Sequence, residues 1–152
     1  MMKARVVYAT ITGNNEDVAD IIVEALEDLN VVVTEEEISQ ANVQDLNDTD
    51  IVVIVPYTYD EGALPEEGID YYDDLADITL NGKVFGVAGS GDVFYGDDYG
   101  VAVDRFDSRL ADSGATRGAK KIKINLSPDA DDIKQLDEFA NELVSAAQQS
   151  TK

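Results

Sequence analysis

The sequence predicts an α/β fold, a three-layer sandwich whose centre is a five-stranded parallel sheet of order 2-1-3-4-5. Three observations predict it. Short β-branched runs alternate with segments of helical periodicity five times along the chain. The third run, Asp50-Ile51-Val52-Val53-Ile54-Val55, is apolar almost throughout, as a strand buried on both faces must be. The loops richest in chemistry follow the first, third and fourth strands. Those strands are neighbours in this order, so their loops converge at the carboxyl ends, beside the point where strand order reverses.

In chain order, the first strand spans Lys3 to Ala9. The first helix runs from about Asn14 to Asn30, with Val18, Ile21, Ile22, Ala25, Leu26 and Leu29 on one face. Val31 to Glu37 is a second strand with a polar end, suited to a sheet edge. Asn42 caps a short helix through Val43 and Leu46. The third strand stops at Pro56. A helix from about Gly68 to Ile78 carries Tyr72, Leu75, Ala76 and Thr79 on one side, and Lys83 to Gly89 is the fourth strand. The next helix, about Tyr99 to Ser113, buries Ala102, Phe106, the Arg109 stem and Leu110, and Gly114 ends it. Lys120-Lys121-Ile122-Lys123-Ile124 is the fifth strand, with an edge-like alternation. Ser127 caps the last helix, Pro128 takes its first position, and Ile133, Leu136, Ala140, Leu143, Val144 and Ala147 form its buried face.

The 152 residues suit one domain, 1–152, with a full core. Against 11 Lys and Arg stand 32 Asp and Glu, a net charge of −21 that repels nucleic acid and anionic membranes and suits basic protein partners. An acidic host proteome or solubility alone would produce the same balance. The chain has neither cysteine nor histidine. Disulfides, thiolate chemistry, cysteine-ligated clusters and histidine-based triads or metal sites are thereby excluded, and any chemistry must come from carboxylates, hydroxyls, backbone or a bound cofactor; neither catalytic nor metal-ligating residues are expected. No apolar run approaches the ~20 residues of a membrane span, and no signal-type apolar region follows Met1-Met2-Lys3, so the expected compartment is the cytoplasm.

The loop Thr10-Ile11-Thr12-Gly13-Asn14-Asn15 joins a strand directly to a helix, which is the geometry of an anion site. Thr10, Thr12, Asn14 and Asn15 supply neutral donors there, or merely cap the helix. The loop lacks the glycine pattern of a dinucleotide fingerprint and the Gly-Lys-Ser/Thr of a P-loop. Tyr57 and Tyr59 follow the third strand, and Phe94 and Tyr95 lie in the glycine-containing loop after the fourth. Such aromatics are core or rim residues, or they hold a planar heterocycle between two rings. An anion site next to a slot for a flat ring describes a pocket for flavin mononucleotide, FMN.

Tyr8-x-Thr10-x-Thr12-Gly13-Asn14 resembles the phosphate loop of the flavodoxins. Tyr57-Thr58-Tyr59-Asp60-Glu61-Gly62 sits where that family has its first ring-flanking loop. Gly89-Ser90-Gly91-Asp92 through Tyr95, with Tyr99 to Asp104, is similar to the second and to the start of its following helix. The resemblance covers essentially the whole chain. Without a long insertion inside the fifth strand, Ala119 to Asn125, it is identified as a short-chain member. The resemblance implies non-covalent FMN and one-electron transfer between partner redox proteins, a reductase donor and an acceptor enzyme, by a monomer. By position, Thr10, Thr12, Asn14 and Asn15 hold the phosphate, helped by the Gly13 amide and Thr58. Tyr59 covers one ring face and Tyr95, with Phe94 as its rival, the other. Backbone near Ser90, Gly91 and Asp92 meets the pyrimidine edge. Ile11, Tyr57, Asp60 and Tyr99 complete the implied cofactor-binding set.

Asn15 stands where the family often has Thr, with donors retained. Asp60 stands where it usually has Gly, beside the flavin N5. A peptide that must turn there adopts positive φ, easily for Gly and less so for Asp, so Asp60 is expected to weaken stabilisation of the one-electron-reduced cofactor unless Gly62 takes the role. Acidic residues crowd the ring loops, and no Lys or Arg lies between Asp60 and Asn81. A carboxylate ~10 Å from a reduced, anionic ring costs it about 0.4–1.7 kcal/mol for ε between 80 and 20, which makes a low-potential carrier.

Other functions fit less well. An FMN-dependent NAD(P)H or quinone reductase needs a site for its second substrate, and the loops offer no basic residue for a pyridine-nucleotide phosphate. The flavoprotein that activates ribonucleotide reductase shares the core, but the five-strand length and the acidic rim favour an ordinary carrier. A response-regulator receiver needs acidic residues where Thr10-Ile11-Thr12 and Pro56-Tyr57 stand, and a serine hydrolase at Gly89-Ser90-Gly91 lacks its histidine.

Overall fold

The structure, a computed structural model, describes residues 2–9, 14–56, 66–91, 101–125 and 128–150. Its elements are β1 (Lys3–Tyr8), α1 (Asn14–Asp28), β2 (Val32–Glu37), two 3₁₀ turns (Ile38–Gln40 and Val43–Asp48), β3 (Ile51–Val55), α2 (Glu66–Leu75), β4 (Val84–Gly91), α3 (Val101–Asp112), β5 (Thr116–Arg117), β6 (Ile122–Asn125) and α4 (Ala130–Ser150). All strand pairs are parallel, in the order β2-β1-β3-β4-β5, and β6 also pairs β4.

The central strands alternate their side chains between two cores. Ala4, Val6, Ile51, Val53, Val55, Val84 and Ala88 face α1 and α4. Val7, Val52, Ile54, Phe85 and Val87 face α2, α3 and the 3₁₀ turns. Every residue of β3 is buried, as its unbroken apolar run predicts. β2 is the expected edge strand. Asn42 accepts a hydrogen bond from the Gln44 amide and caps the second turn, which is 3₁₀ rather than α.

α1 ends two residues before Asn30, which takes a positive φ of 67° and turns the chain into β2. Gly114 ends α3 as predicted, with φ 97°. Ser113, buried behind it, donates from Oγ to the Leu75 carbonyl at 2.7 Å and ties the end of α3 to the end of α2.

Three expectations are corrected. The fifth strand position is split. β5 pairs with Val84 and Phe85, while β6, starting at Ile122 rather than Lys120, pairs with Ala88 to Gly91. Between the two ladders, four residues on one side answer to two on β4, so residues 118–121 form a bulge. Gly118 keeps the chain close there: its amide donates to the Phe85 carbonyl at 2.9 Å, and a Cβ on it would collide with Val84.

α2 ends at Leu75, where the Ala76 and Asp77 amides bond back three residues to Asp73 and Asp74. The inward residues are Tyr71 and Leu75, with Tyr72 half-buried edge-on to Phe106 as expected, whereas Ala76 and Thr79 are exposed. α4 begins at Ala130, capped by reciprocal bonds in which the Asp132 amide donates to Asp129 and the Asp129 amide donates to Asp132. Pro128 therefore precedes the cap, and Ser127 lies outside the described residues. Ile133 is 42 % exposed, and Phe139, unassigned from the sequence, joins Leu136, Ala140 and Leu143 in the core. A Cβ on Gly86 would strike the Phe139 ring, so glycine in β4 seats α4 on the sheet.

Candidate functional site

The carboxyl ends of β1, β3 and β4 frame the site. Tyr8 is in register with Val55, and the Ala9 amide donates to the Val55 carbonyl at 2.9 Å, so β1 and β3 stay paired to the start of their loops. β1 pairs β2 on its other side, which places the reversal of strand order between β1 and β3. α1 opens at Asn14, so the amides of its first turn, including those of Asn14 and Asn15, head the loop that follows β1.

On the other flank β4 runs to Gly91, two residues further than predicted, and takes in Ser90 and Gly91. β6 supports that end, with Ser90 opposite Ile124 and Gly91 opposite Asn125. Gly89 marks a close approach of three elements. A Cβ there would collide with the Pro56 carbonyl oxygen and a Val103 methyl, so glycine lets α3 and the end of β3 close on β4.

Of the predicted site residues, the structure brings Asn14 and Asn15 of α1 and Ser90 and Gly91 of β4 to this end of the sheet. Thr10, Ile11, Thr12, Gly13, Tyr57, Thr58, Tyr59, Asp60, Asp92, Phe94, Tyr95 and Tyr99 lie outside the described residues. One arrangement here escaped sequence reasoning. Asp104 in the first turn of α3 accepts from Lys121 Nζ and Lys123 Nζ, each at 2.8 Å. Lysines two apart on a strand share a face, which was the legible half of that signal; their partner on α3 was not.

On the β2 flank, Tyr8, Glu35 and Glu37 of β1 and β2 lie near Glu16 and Asp20 of α1. Burial raises the Tyr8 hydroxyl, helped by those carboxylates. Glu35 keeps part of its surface in water. Partial burial, then a hydrogen bond with Asp20, then the charges of Asp20, Glu16 and Glu27 push its carboxyl up to about 7. Among the described residues no group of carboxylates has the geometry of a metal site, and no helix is long and apolar enough to cross a membrane.

Compared with known families, residues 6–139 match the model of the family described as flavodoxin. The chain is 35 % identical over 141 residues to probable flavodoxin 1 of Bacillus subtilis (strain 168), covering 92 % of this chain and 89 % of the relative. Its structure is similar to that of a short-chain flavodoxin associated with a non-canonical PDU bacterial microcompartment, at 56 % identity and a TM-score of 0.95 over 97 % of this chain and 99 % of the other. It is also similar to the flavodoxin of Streptococcus pneumonia TIGR4, with 43 % identity, a TM-score of 0.92, and coverage of 95 % and 99 %. The sheet order, the placement of three strand ends around one site and these likenesses along nearly the full chain have one conclusion: the chain belongs to the flavodoxins, FMN-binding proteins that are not enzymes but carry electrons between redox partner proteins.

Proposed function

We propose that this chain is a low-potential one-electron carrier of the cytoplasm, a monomer and a single domain over residues 1–152, whose partners present basic surfaces. The observation that carries the site assignment is the convergence of the ends of β1, β3 and β4 in front of the first turn of α1. That frame fits FMN. A phosphate dianion suits the unspent amides of a helix start and the neutral donors of its loop, and a planar ring needs backbone that approaches closely, which the Gly89 to Gly91 end of β4 supplies. Bound FMN supplies the chemistry, accepting and releasing single electrons.

The protein's own residues bind, orient and tune. Thr10, Thr12, Asn14 and Asn15 hold the phosphate, with the Gly13 amide and Thr58. Tyr59 and Tyr95 exclude water from the two ring faces. Backbone at Ser90, Gly91 and Asp92 bonds the pyrimidine edge, with Ile11, Tyr57, Asp60, Phe94 and Tyr99 around the cofactor. The lack of cysteine agrees with a role that needs no disulfide, and the charge of −21 supports basic partners and a depressed potential.

The test is direct. Purified protein should be yellow, or turn yellow on adding FMN, and release FMN on denaturation. A chain that fails to bind added FMN would overturn the site assignment. NADH consumption without a partner protein would overturn the carrier role.

A further inference from the structure

Beside the carboxyl end of β4 lies a compact group of opposite charges that the carrier function has not absorbed. Each oxygen of the Asp104 carboxylate takes one lysine, Lys121 and Lys123, at 2.8 Å. Burial alone would push the Asp104 carboxyl up; the hydrogen bonds from the two lysines overcome it and hold the group below the usual carboxylate range. The three charges sum to +1 in a chain of −21.

The placement is specific. Lys123 stands opposite Gly89 in the ladder, two residues before β4 ends at Gly91. With about 3.3 Å per residue along a strand and about 4.8 Å between strands, its backbone lies roughly 8 Å from the end of β4. Lys3 and Lys83 sit at the opposite ends of their strands, Arg117 pairs there too, opposite Phe85, and the stretch Asp60 to Asn81 has no cation. Side chains of all three residues keep between 31 and 41 % of their surface in water, where ion pairs add little stability. A shared carboxylate does, however, hold two flexible ammonium groups in one place.

We propose that Asp104, Lys121 and Lys123 are tuning residues of the carrier: a fixed group of net charge +1 on the β4 flank of the cofactor site that offsets the acidic rim and holds up the potential of the more negative redox couple. This rests on the site assignment above. The sign follows from Coulomb's law, since a positive charge on this flank of the site favours the more reduced, more anionic cofactor.

The experiment is a spectroelectrochemical titration of the full chain loaded with FMN, at low ionic strength. Lys121→Gln and Lys123→Gln should each move the more negative couple to lower potential. Asp104→Asn, which leaves both lysines uncompensated, should move it to higher potential, and Lys123→Arg should leave it in place. The shifts should shrink at high salt. Opposite signs are the signature, because loosening α3 from β6 would move all three variants the same way. Shifts of one sign, or none at low salt, would overturn the proposal. Thermal melting of the unloaded variants shows that each is folded. Failure of the parent chain to bind FMN would instead remove the site assignment beneath it.

Discussion

A side chain at position 89 has nowhere to go, since the Pro56 carbonyl and Val103 occupy its space. Backbone oxygen cannot move aside as a flexible side chain would, so Gly89→Ala must push α3 or the end of β3 away from β4. An overpacked core of this kind costs about 1–3 kcal/mol, read as a lower urea midpoint with an unchanged slope. Because the same three elements frame the cofactor, FMN affinity should fall with it. On the proposed site assignment Asp60 poses the opposite problem, a side chain where freedom of φ would be wanted. Asp60→Gly should raise the one-electron potential by roughly 40–90 mV, the equivalent of ~1–2 kcal/mol of relieved strain. A redox titration that finds the potential unchanged would discard that role for Asp60.

Between β2 and α1, Glu35 is hydrogen-bonded to Asp20, and with its partial burial this keeps the Glu35 proton on to near neutrality. The Glu35 carboxyl lies at about 7 in the folded chain against an ordinary 4.5, so the folded state binds that proton more tightly. Its contribution to stability is complete below about 4.5 and is lost as pH rises through about 7. Denaturation of the parent chain and Glu35→Gln at several pH values between 5 and 8 should show the parent losing stability relative to the variant as pH rises. Parallel profiles would refute it. At this scale the sequence was read well where pattern is local. The buried run of β3, the Asn42 cap and the Gly114 stop follow from single residues and their neighbours. It was read poorly where partners are distant. The bulge before β6 is set by the register on β4, and the early end of α2 leaves Ala76 and Thr79 exposed while Tyr71 joins the half-buried Tyr72 against the core. The start of α4 depends on two aspartates, Asp129 and Asp132, that cap each other's amides, a reciprocal pairing that composition alone does not single out. Of the site, the frame was legible because βα alternation implies a parallel sheet whose loops gather at the carboxyl ends of its strands, while the Asp104 partnership with two lysines appears only once α3 lies beside β6.

Over the whole molecule the excess of 21 negative charges acts on any electron added at the site. Raising ionic strength from about 0.01 to 1 M shortens the screening length from about 30 to 3 Å, so the more negative couple should move to higher potential as salt is added. A potential independent of salt would show that the rim does not set it. The same salt should slow electron transfer with a basic partner, because steering of encounter is lost together with the field.

The split fifth position has a consequence for how the family's chains can grow. The two halves of β4 are served by separate pieces of chain, and the four residues that bridge them carry no ladder of their own. Extra length spliced in at the exposed Lys120, past the buried Ala119, would leave both ladders in register and cost only loop-closure entropy, about 0.6 kcal/mol for each doubling of the connection. The sheet thus already contains a joint at which a surface appendage can be added without rewriting the core, a few residues upstream of the strand that flanks the cofactor.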